Sequence, residues 1–482
     1  MKFDLHHTRH NRDTRHSLNV PLLTSLLVPM LLASCAVTKV DPPAPVVATA
    51  QFKESGAWTQ GSAAATQVPD NWWTLFKDPV LDDLERRLVI DNQNLKVSAA
   101  QVANARAALE ASRSAMYPSL SAGLSASRDA SPTATTSANA SNPSNSMSLT
   151  ANASWEVDLW GRLSQASAGA QSTLQASMAD LASARLSAQA TLAQSYFSMR
   201  TLDAQLSLSD RSIQAYERSL VLTQARYESG VVGRTDILQA HTQLKSAQAQ
   251  RADLTAQRAV LAHAIAVLVG TQPAELSITH DASLPLAPVV PAMLPSNLLE
   301  RRPDIAAAQR RVATAYAQIG VADAAYFPSL SLSASAGYRG TSLGQLISAP
   351  HFLWSLGSSL TQSIFDNGQR KLASAQARAS AEQLTASYRQ VVLTALQEVE
   401  DNLILNAQLQ QEAQLQSEAL QAAQRNLEIT LDQYRAGTVS YLNVVVAQAS
   451  AFSSESSLLS VRNRQLAAIS QLLKNVAGRW DA

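Results

Sequence analysis

The sequence predicts a mixed, mostly α-helical fold with four amphipathic β-strands per chain, built as two copies of one structural unit. The first observation behind this is an internal repeat. Tyr117-Pro118-Ser119-Leu120 returns as Phe327-Pro328-Ser329-Leu330, 210 residues later (328 − 118). Arg226-Tyr227-Glu228-Ser229-Gly230 returns as Gln433-Tyr434-Arg435-Ala436-Gly437, 207 residues later (437 − 230). Solenoid repeats span about 20 to 50 residues, so this longer period indicates duplication of a whole unit.

The second observation is a switch in hydrophobic period within each copy, from about 3.6 residues to 2. Apolar residues and hydroxyls alternate over about 119–128 and 147–159 in the first copy, and over about 329–338 and 352–365 in the second. Strands of this length with one apolar and one polar face are typical of outer-membrane barrels. The alternative is an ordinary antiparallel sheet packed on helices. Aromatic residues expected near the strand ends, as in an interfacial girdle, are Trp155, Trp160, Tyr338 and Trp354.

The helical segments are long. One helix is expected from the Asp78-Pro79 cap signal to about Met116, and helical hairpins are expected over about 162–269 and 368–477. Thr235-Asp236 is expected to cap the return helix of the first hairpin. An unbroken heptad indicates left-handed supercoiling of helices that extend roughly 100 Å. Its members are Leu192, Met199, Leu206, Ile213, Leu220 and Tyr227.

Composition agrees with close helix packing through small residues, since aromatics make up 5% and charged residues 16% of the chain. The formal net charge of +1 gives no nucleic-acid footprint, so no nucleic-acid partner is expected. The expected segments are a signal peptide at 1–34, a tether at 35–75, a first repeat at 76–269, a Pro-rich linker or equatorial segment at 270–297, a second repeat at 298–477 and a tail at 478–482.

The N-terminus has the features of an export signal. Basic residues precede an apolar run from Val20 to Leu32, which is too short for a comfortable membrane-spanning helix. The run ends in Leu32-Ala33-Ser34-Cys35, and Cys35 is the only cysteine. This resembles a bacterial lipobox, which implies cleavage before Cys35 and its lipidation. Ala36 follows, which in such lipoproteins implies sorting to the outer membrane. The alternative is a plain secretory signal with an incidental cysteine.

Four strands cannot close a transmembrane barrel, and lipid does not tolerate open edges, so several chains must pool their strands. Two chains would give eight strands and a filled interior, whereas three would give twelve and an aqueous lumen. The lining of Ser, Gly and Thr favours three. The expected assembly is a trimeric 12-stranded transmembrane β-barrel, continued by a long periplasmic α-helical coiled-coil barrel.

The whole pattern resembles the TolC-type outer-membrane efflux channels, in the lipoprotein branch known as NodT- or OprM-like. The motifs that carry the resemblance are Trp72-Trp73, Phe76-Lys77-Asp78-Pro79, Glu300-Arg301-Arg302-Pro303-Asp304-Ile305, Ile319-Gly320-Val321-Ala322 and the paired Tyr-x-x-Gly turns. The resemblance implies a homotrimer in outer-membrane lipid. It also implies passive conduction of drugs or toxic small molecules, with a periplasmic membrane-fusion adaptor and an inner-membrane resistance-nodulation-division (RND) pump as partners.

In this family the Tyr-x-x-Gly turns form the periplasmic tips that dock on the adaptor. The tip residues implied by the resemblance are Tyr227, Gly230, Gly233, Arg234, Asp236, Tyr434, Gly437 and Ser440. Some relatives carry acidic gate rings where this chain has Asn443 and Val446, and a latching arginine where it has Val439. The hypothesis is therefore a closed state held by packing or hydrogen bonds around Tyr434, with Asn443, Val446 and Asp236 as gate candidates.

The sequence contains no recognisable Ser-His-Asp set, metal-ligand cluster or phosphate loop. The expectation is therefore a protein that is not an enzyme, with no catalytic residue, cofactor or metal. Two other export functions fit the same fold: the outer-membrane channel of a type I protein secretion system, and that of a metal-ion efflux system. A coiled-coil adhesin or envelope spacer would leave the four strands unexplained.

Overall fold

A computed structural model describes the protein at residue 44 and over 51–54, 69–130, 143–288 and 301–477. The predicted signal peptide and Cys35 lie outside the described residues. The chain divides into two compact units. The sheet unit comprises the described parts of Ala115–Ala166 and Ile319–Ser374, and the helical unit those of Asp41–Ser114, Ser167–Gln318 and Ala375–Ala482.

Within the described residues, long helices alternate with two pairs of strands in the order that the repeat predicts. The helices are α1 Pro79–Asp91, α2 Gln93–Ser114, α3 Arg162–Glu228, α4 Arg234–Leu268, α5 Pro303–Ala324, α6 Gln369–Ala436 and α7 Tyr441–Val476. The strands are β1 Ser119–Asp129, β2 Ser144–Val157, β3 Ser329–Gly340 and β4 Phe352–Thr361. Short 3-10 turns occupy Trp72–Phe76, Leu343–Gln345 and Ala349–His351. The fourth strand ends at Thr361, so Ile364 lies beyond it.

The sheet is antiparallel in the order β1-β2-β3-β4, and its register keeps the two kinds of side chain apart. Apolar residues oppose apolar residues at most positions, as at Leu124–Leu149 and Leu330–Leu360, although Leu332 opposes Ser358. Hydroxyls likewise oppose hydroxyls, and several of these pairs are hydrogen-bonded. The serine pairs with oxygen atoms within hydrogen-bond distance are Ser119–Ser154 (2.9 Å), Ser125–Ser148 (2.8 Å) and Ser335–Ser355 (2.8 Å).

The apolar face of the sheet is exposed in the single chain. Every residue of the two edge strands β1 and β4 is exposed, with Leu120 at 78% and Leu356 at 75%. A soluble domain would cover such a row of large apolar side chains. This burial pattern argues against the alternative of an ordinary sheet packed on helices.

Aromatic residues lie near both ends of the sheet. Trp155 donates its ring N–H to the carbonyl of Met116 (2.8 Å), and Trp160 donates to the carbonyl of Pro328 (2.6 Å). Tyr338 lies near the other end of the sheet, 5.4 Å from the ring of Phe352. Aromatic rings at both ends of the strands are typical of membrane interfaces.

The helical unit opens on a buried aromatic cluster. Trp72 and Phe76 are buried, and the Phe76 ring lies 4.7 Å from that of Phe197 on α3. Asp78 then caps α1, because its carboxylate accepts the backbone N–H of Val80 at 2.9 Å. The same carboxylate accepts the Tyr196 hydroxyl at 2.8 Å. The Trp-Trp…Asp-Pro segment therefore fixes the start of α1 against α3.

The single helix predicted up to about Met116 is in fact two, and this prediction was wrong. The chain breaks at Asn92, between α1 and α2. Asn92 accepts the backbone N–H of Leu95 (3.0 Å) and so caps α2, while its amide donates to the carbonyl of Leu268 at the end of α4 (2.7 Å). The break thus combines a local cap with a hydrogen bond to a residue distant in sequence.

The two longest helices, α3 and α6, contain 67 and 68 residues, so each extends about 100 Å. The first three heptad residues of α3, Leu192, Met199 and Leu206, are buried, whereas Ile213 and Leu220 are half-buried and Tyr227 is exposed. No helix of the described residues combines the length and apolar character needed to cross a membrane.

Candidate functional site: the two hairpin turns

The first turn joins α3 to α4 through a helix-ending motif centred on Gly230. Gly230 has φ +75°, a left-handed conformation that glycine adopts without a steric penalty. Its N–H bonds the carbonyl of Tyr227 (2.9 Å), and the N–H of Val231 bonds the carbonyl of Arg226 (2.9 Å). This pair of bonds is a Schellman motif, which satisfies carbonyls that the helix end would leave unpaired.

The second turn, between α6 and α7, repeats this geometry. Gly437 has φ +79°, its N–H bonds the carbonyl of Tyr434 (3.0 Å), and the N–H of Thr438 bonds that of Gln433 (3.0 Å). The Tyr-x-x-Gly spacing therefore has a local cause. The tyrosine supplies the carbonyl that accepts the glycine N–H three residues later.

The return helices begin without a side-chain cap. Gly233 precedes α4 and Ser440 precedes α7, and neither makes a capping hydrogen bond through its side chain. The prediction that Thr235-Asp236 caps the return helix was wrong, because α4 already begins at Arg234. Asp236 instead lies in the first turn of α4, where the positive end of the helix dipole stabilises a carboxylate.

Tyr434 is the most enclosed of the predicted tip residues, with 1% of its surface exposed. Its hydroxyl lies 3.2 Å from the hydroxyl of Thr223 on α3. The guanidinium of Arg226 stands over its ring, 4.6 Å from the centroid, and also donates to its backbone carbonyl. A residue of the first hairpin therefore holds both the ring and the backbone of the second turn.

Apolar packing surrounds this contact. Tyr434, Tyr441, Val444 and Ala240 form a buried cluster that includes residues of α4, α6 and α7. The Tyr441 ring lies 5.6 Å from that of Tyr434, and its hydroxyl is buried without a hydrogen-bond partner in the described residues. Burial raises the pKa of Tyr441 to about 12, with smaller contributions from the neighbouring Tyr434, Tyr216 and Asp236. The phenol thus stays neutral.

The other predicted tip residues lie at the surface. Tyr227 is 43% exposed, and Arg234 is also exposed, as are Gly230, Gly233, Gly437 and Ser440. Of the gate candidates, Asn443 and Val446 are exposed one helical turn apart on α7, and Asp236 is half-buried. Asn443 and Val446 therefore share a face of α7 that the single chain leaves uncovered.

Sequence reasoning missed Arg226 and Thr223 as partners of Tyr434. Arg226 stands in the quoted repeat, opposite Gln433 of the second copy, and that mismatch between otherwise similar turns was an available signal. Its partner lies 208 residues away in the chain, so no local pattern identifies the contact.

The Arg-Arg-Pro-Asp-Ile segment has a structural role far from the turns in sequence. The buried Arg302 guanidinium bonds Asp304 on α5 (2.6 Å), Glu398 on α6 (3.0 Å) and Asn475 on α7 (3.3 Å). Burial alone would raise the pKa of Asp304, but the hydrogen bond and charge of Arg302 outweigh burial and lower it. The motif therefore joins three helices of the helical unit.

The histidines within the described residues form no evident chemical centre. His280 lies 3.5 Å from Asp203, a contact that is ionic only when the histidine is protonated. The residues that the structure describes contain no group of three or more His, Cys, Asp or Glu side chains placed to hold a metal ion.

Comparison with known proteins decides the family. The family model described as "Outer membrane efflux protein" matches residues 86–271 and 294–478. The chain belongs to the outer membrane efflux protein family. It is 30% identical to the probable efflux pump outer membrane protein TtgC of Pseudomonas putida, over 95% of this chain and 96% of that protein. It is 29% identical to the pyoverdine export outer membrane protein OpmQ of Pseudomonas aeruginosa, over 96% of this chain and 97% of that protein.

Solved structures agree with the sequence relatives. The outer-membrane channel OprN superposes with a TM-score of 0.85 at 27% identity, covering 92% of this chain and all of that one. The open state of the Neisseria gonorrhoeae MtrE outer membrane channel gives 0.80 at 27% identity, covering 92% and 98%. The predicted fold class is confirmed. This family member is an outer-membrane protein that serves as the exit duct of an efflux pump.

Proposed function

We propose that three copies of the chain pool their strands into a 12-stranded barrel in the outer membrane and place their helical hairpins in the periplasm. The observation that carries this is the exposed sheet, with apolar side chains on one face, hydroxyls on the other and two open edges. Lipid does not tolerate unpaired strand edges, and four strands cannot close alone. Twelve strands give a lumen that the hydroxyl face can line.

Neighbouring positions on β2 test this assembly. Leu149 belongs to the apolar row and Thr150 to the hydroxyl row. Leu149→Arg should abolish heat-resistant trimers in outer-membrane fractions, because a cation facing mid-bilayer lipid costs roughly 2–4 kcal/mol. Thr150→Arg, the matched control, should still assemble with an altered conductance. Equal assembly of both variants would overturn the barrel.

The cargo we propose is organic small molecules such as solvents and antibiotics. Relatives that are 30% identical over 95% of this chain are named for toluene efflux and for antibiotic efflux. Conduction is passive in this proposal, with energy supplied by an RND pump in the inner membrane through a periplasmic adaptor. A second candidate is export of a siderophore, favoured by the similarity to OpmQ.

The turns are the proposed docking surface for the adaptor. Their exposed members Gly230, Gly233, Arg234, Gly437 and Ser440 are available to a partner, whereas the buried Tyr434 acts by shaping the second turn. Arg234→Glu should weaken cross-linking to the adaptor. Arg218→Glu, an exposed site earlier on α3, should not.

The closed state, in this proposal, is held by the packing around Tyr434 and not by an acidic ring. Asn443 and Val446, the residues at the ring positions, are uncharged. Asn443→Ala should therefore leave cation block and conductance nearly unchanged. A change of the kind expected for loss of a charged ring would contradict this gate.

Lipidation of Cys35 is proposed to aid insertion and not to form the pore. Mass spectrometry of the mature protein should find an acylated N-terminal cysteine. Trimers of Cys35→Ala that insert but conduct nothing would contradict this division of roles.

The decisive functional experiment is a susceptibility panel on a strain lacking this chain, with a complemented control. Complementation should restore resistance to several unrelated amphiphilic antibiotics, dyes or solvents. Loss of siderophore export alone would favour the second candidate, and sensitivity to copper or silver alone would indicate metal efflux. A secretion defect without any drug phenotype would indicate a type I system.

A further inference from the structure

The two turns share more than Tyr-x-x-Gly. Thr223, Tyr227 and Gly230 return as Thr430, Tyr434 and Gly437, each 207 residues later (430 − 223, 434 − 227, 437 − 230). The frame Thr-x-x-x-Tyr-x-x-Gly is thus duplicated as a unit. Within one chain, however, only one of the possible cross-contacts is made. The threonine of the first copy meets the tyrosine of the second, Thr223 to Tyr434 at 3.2 Å.

The reciprocal tyrosine is left uncovered, whereas the reciprocal threonine, Thr430, is buried within its own chain. Tyr227 is 43% exposed, although its duplicate Tyr434 is 1% exposed. Gln433 is exposed at the position whose duplicate, Arg226, covers the Tyr434 ring. One side of the chain thus presents an uncovered tyrosine, and the other presents the helix face that would cover it.

Two apolar neighbours show the same difference. Leu222 packs against the cluster around Tyr434, whereas its duplicate Ile429 (429 − 222 = 207) is 45% exposed. Val445 also packs against that cluster, whereas its first-copy duplicate Leu238 (445 − 238 = 207) is 58% exposed. The chain therefore carries both halves of its own internal interface, unpaired, on different surfaces. Two complementary faces on one chain make a head-to-tail contact, which closes into a ring when the rotation permits.

We propose that Tyr227 packs against α6 of a neighbouring copy, at the exposed Ile429 and Gln433, as Tyr434 packs near Leu222 and Arg226 within a chain. This inference rests on the proposed trimer and adds which surfaces meet at its tip. The occupant of the exposed Tyr227 face is a second copy of this chain.

The tyrosine contact within a chain and the proposed tyrosine contact between chains then differ in strength. The contact within a chain has a cation over the ring and a charged donor on the tyrosine carbonyl. The contact between chains has the neutral Gln433 in that place, which gives no cation–π attraction and only a weaker hydrogen bond. The contact within a chain is therefore the stronger of the two.

Photo-cross-linking tests which surfaces meet. Full-length protein carrying Tyr227→p-benzoylphenylalanine is irradiated in outer membranes, and cross-linked peptides are identified by mass spectrometry. The expected product is a two-chain band that joins position 227 to residues 427–437. The same residue at Arg218, nine positions earlier and so on the opposite side of α3, should give no such product. Trimers without the 227-to-α6 product would overturn this inference alone, whereas absence of trimers would overturn the proposed assembly too.

A charge graft provides a second test. Gln433→Arg should place a guanidinium over the neighbouring chain's Tyr227, as Arg226 lies over Tyr434 within a chain. The temperature at which trimers dissociate should therefore rise by several degrees. Gln424→Arg adds the same charge nine positions earlier, on the opposite face of α6, and should leave that temperature unchanged. The gain should disappear in a Tyr227→Ala background. An equal gain from Gln424→Arg, or one that survives Tyr227→Ala, would overturn the contact.

Discussion

The two hairpin turns have the same backbone and opposite surroundings. Both end their helix in a Schellman motif, with Gly230 at φ +75° and Gly437 at φ +79°. Yet Tyr227 is 43% exposed and Tyr434 is 1% exposed. Duplication has therefore kept the local geometry, which three or four residues determine. The side-chain environment has diverged, because it depends on which neighbour each turn meets.

The largest difference is expected when each tyrosine is removed. Tyr434→Ala empties a buried aromatic site, a change that costs about 3 kcal/mol. Amide hydrogen exchange of residues 431–447 in the intact protein should accelerate about 100-fold, since each 1.4 kcal/mol is a factor of ten. Tyr227→Ala should leave those amides unchanged and weaken only contacts between copies. Equal acceleration of amide exchange in both variants would contradict the difference between the two turns.

The residues that cover the tyrosines should follow the same order with smaller effects. Arg226→Ala removes a cation over the Tyr434 ring and a charged donor to its carbonyl, a loss of about 2 kcal/mol. Amide exchange at Gly437 and Thr438 should accelerate about 30-fold. Gln433→Ala, at the duplicated position, should leave exchange at these two amides unchanged. A larger effect from Gln433→Ala than from Arg226→Ala would contradict the role given to Arg226.

The turn glycines should behave alike, which sharpens the claim that backbone geometry is what the turns share. Alanine at Gly230 or Gly437 must adopt a left-handed conformation, which costs about 1–2 kcal/mol. The two variants should lower the thermal midpoint by similar amounts. Gly233→Ala is the matched control, because Gly233 has φ −84° and open space around it, and it should be nearly neutral. A drop at Gly233 equal to the others would contradict the assignment.

The smallest effect concerns the residues that hydrogen-bond between helices near the start of each repeat. Asn92 joins helices in the first copy, and Arg302 with Asp304 does so 210 residues later (302 − 92). The folded pKa of Asp304 is lowered, so its contribution is present above the unfolded value near 3.8 and is lost as pH falls through the folded value. Asp304→Asn should cost about 1 kcal/mol at pH 7.

The pH dependence gives the control for this variant. The thermal midpoints of wild-type protein and Asp304→Asn should converge as pH falls from about 4 through the lowered folded pKa of Asp304, because only below that pKa is the carboxyl protonated in both states of the wild type. Asn92→Ala should give a deficit that does not change over the same range, since an amide does not titrate. If the lower thermal midpoint of Asp304→Asn did not change with pH, the ion pair of Asp304 with Arg302 would not explain it.

The sequence predicted the parts of the fold that depend on neighbouring residues. Alternation gave the strands and their faces, the heptad gave the buried stripe that includes Leu192 and Met199, and Tyr-x-x-Gly gave the two helix ends. What it missed depends on distant partners. Asn92 breaks a helix because the carbonyl of Leu268 is within reach, and Arg226 covers a ring 208 residues away.

The site was predicted less completely for the same reason. The positions of both turns followed from the repeat, but the buried state of Tyr434 and the exposed state of Tyr227 did not. Both occupy the same frame, and only the packing of one hairpin against the other distinguishes them. Small shifts at helix starts, as at Arg234, arise because the extended backbone of Gly233 precedes the expected cap.

The most direct test of the central claim is planar-bilayer recording of the intact oligomer purified from outer membranes. We expect discrete single-channel conductance from a complex of three chains, increased by Tyr434→Ala and nearly unchanged by Asn443→Ala. A complex of three chains that inserts but never conducts, or a conducting species with another number of chains, would contradict it.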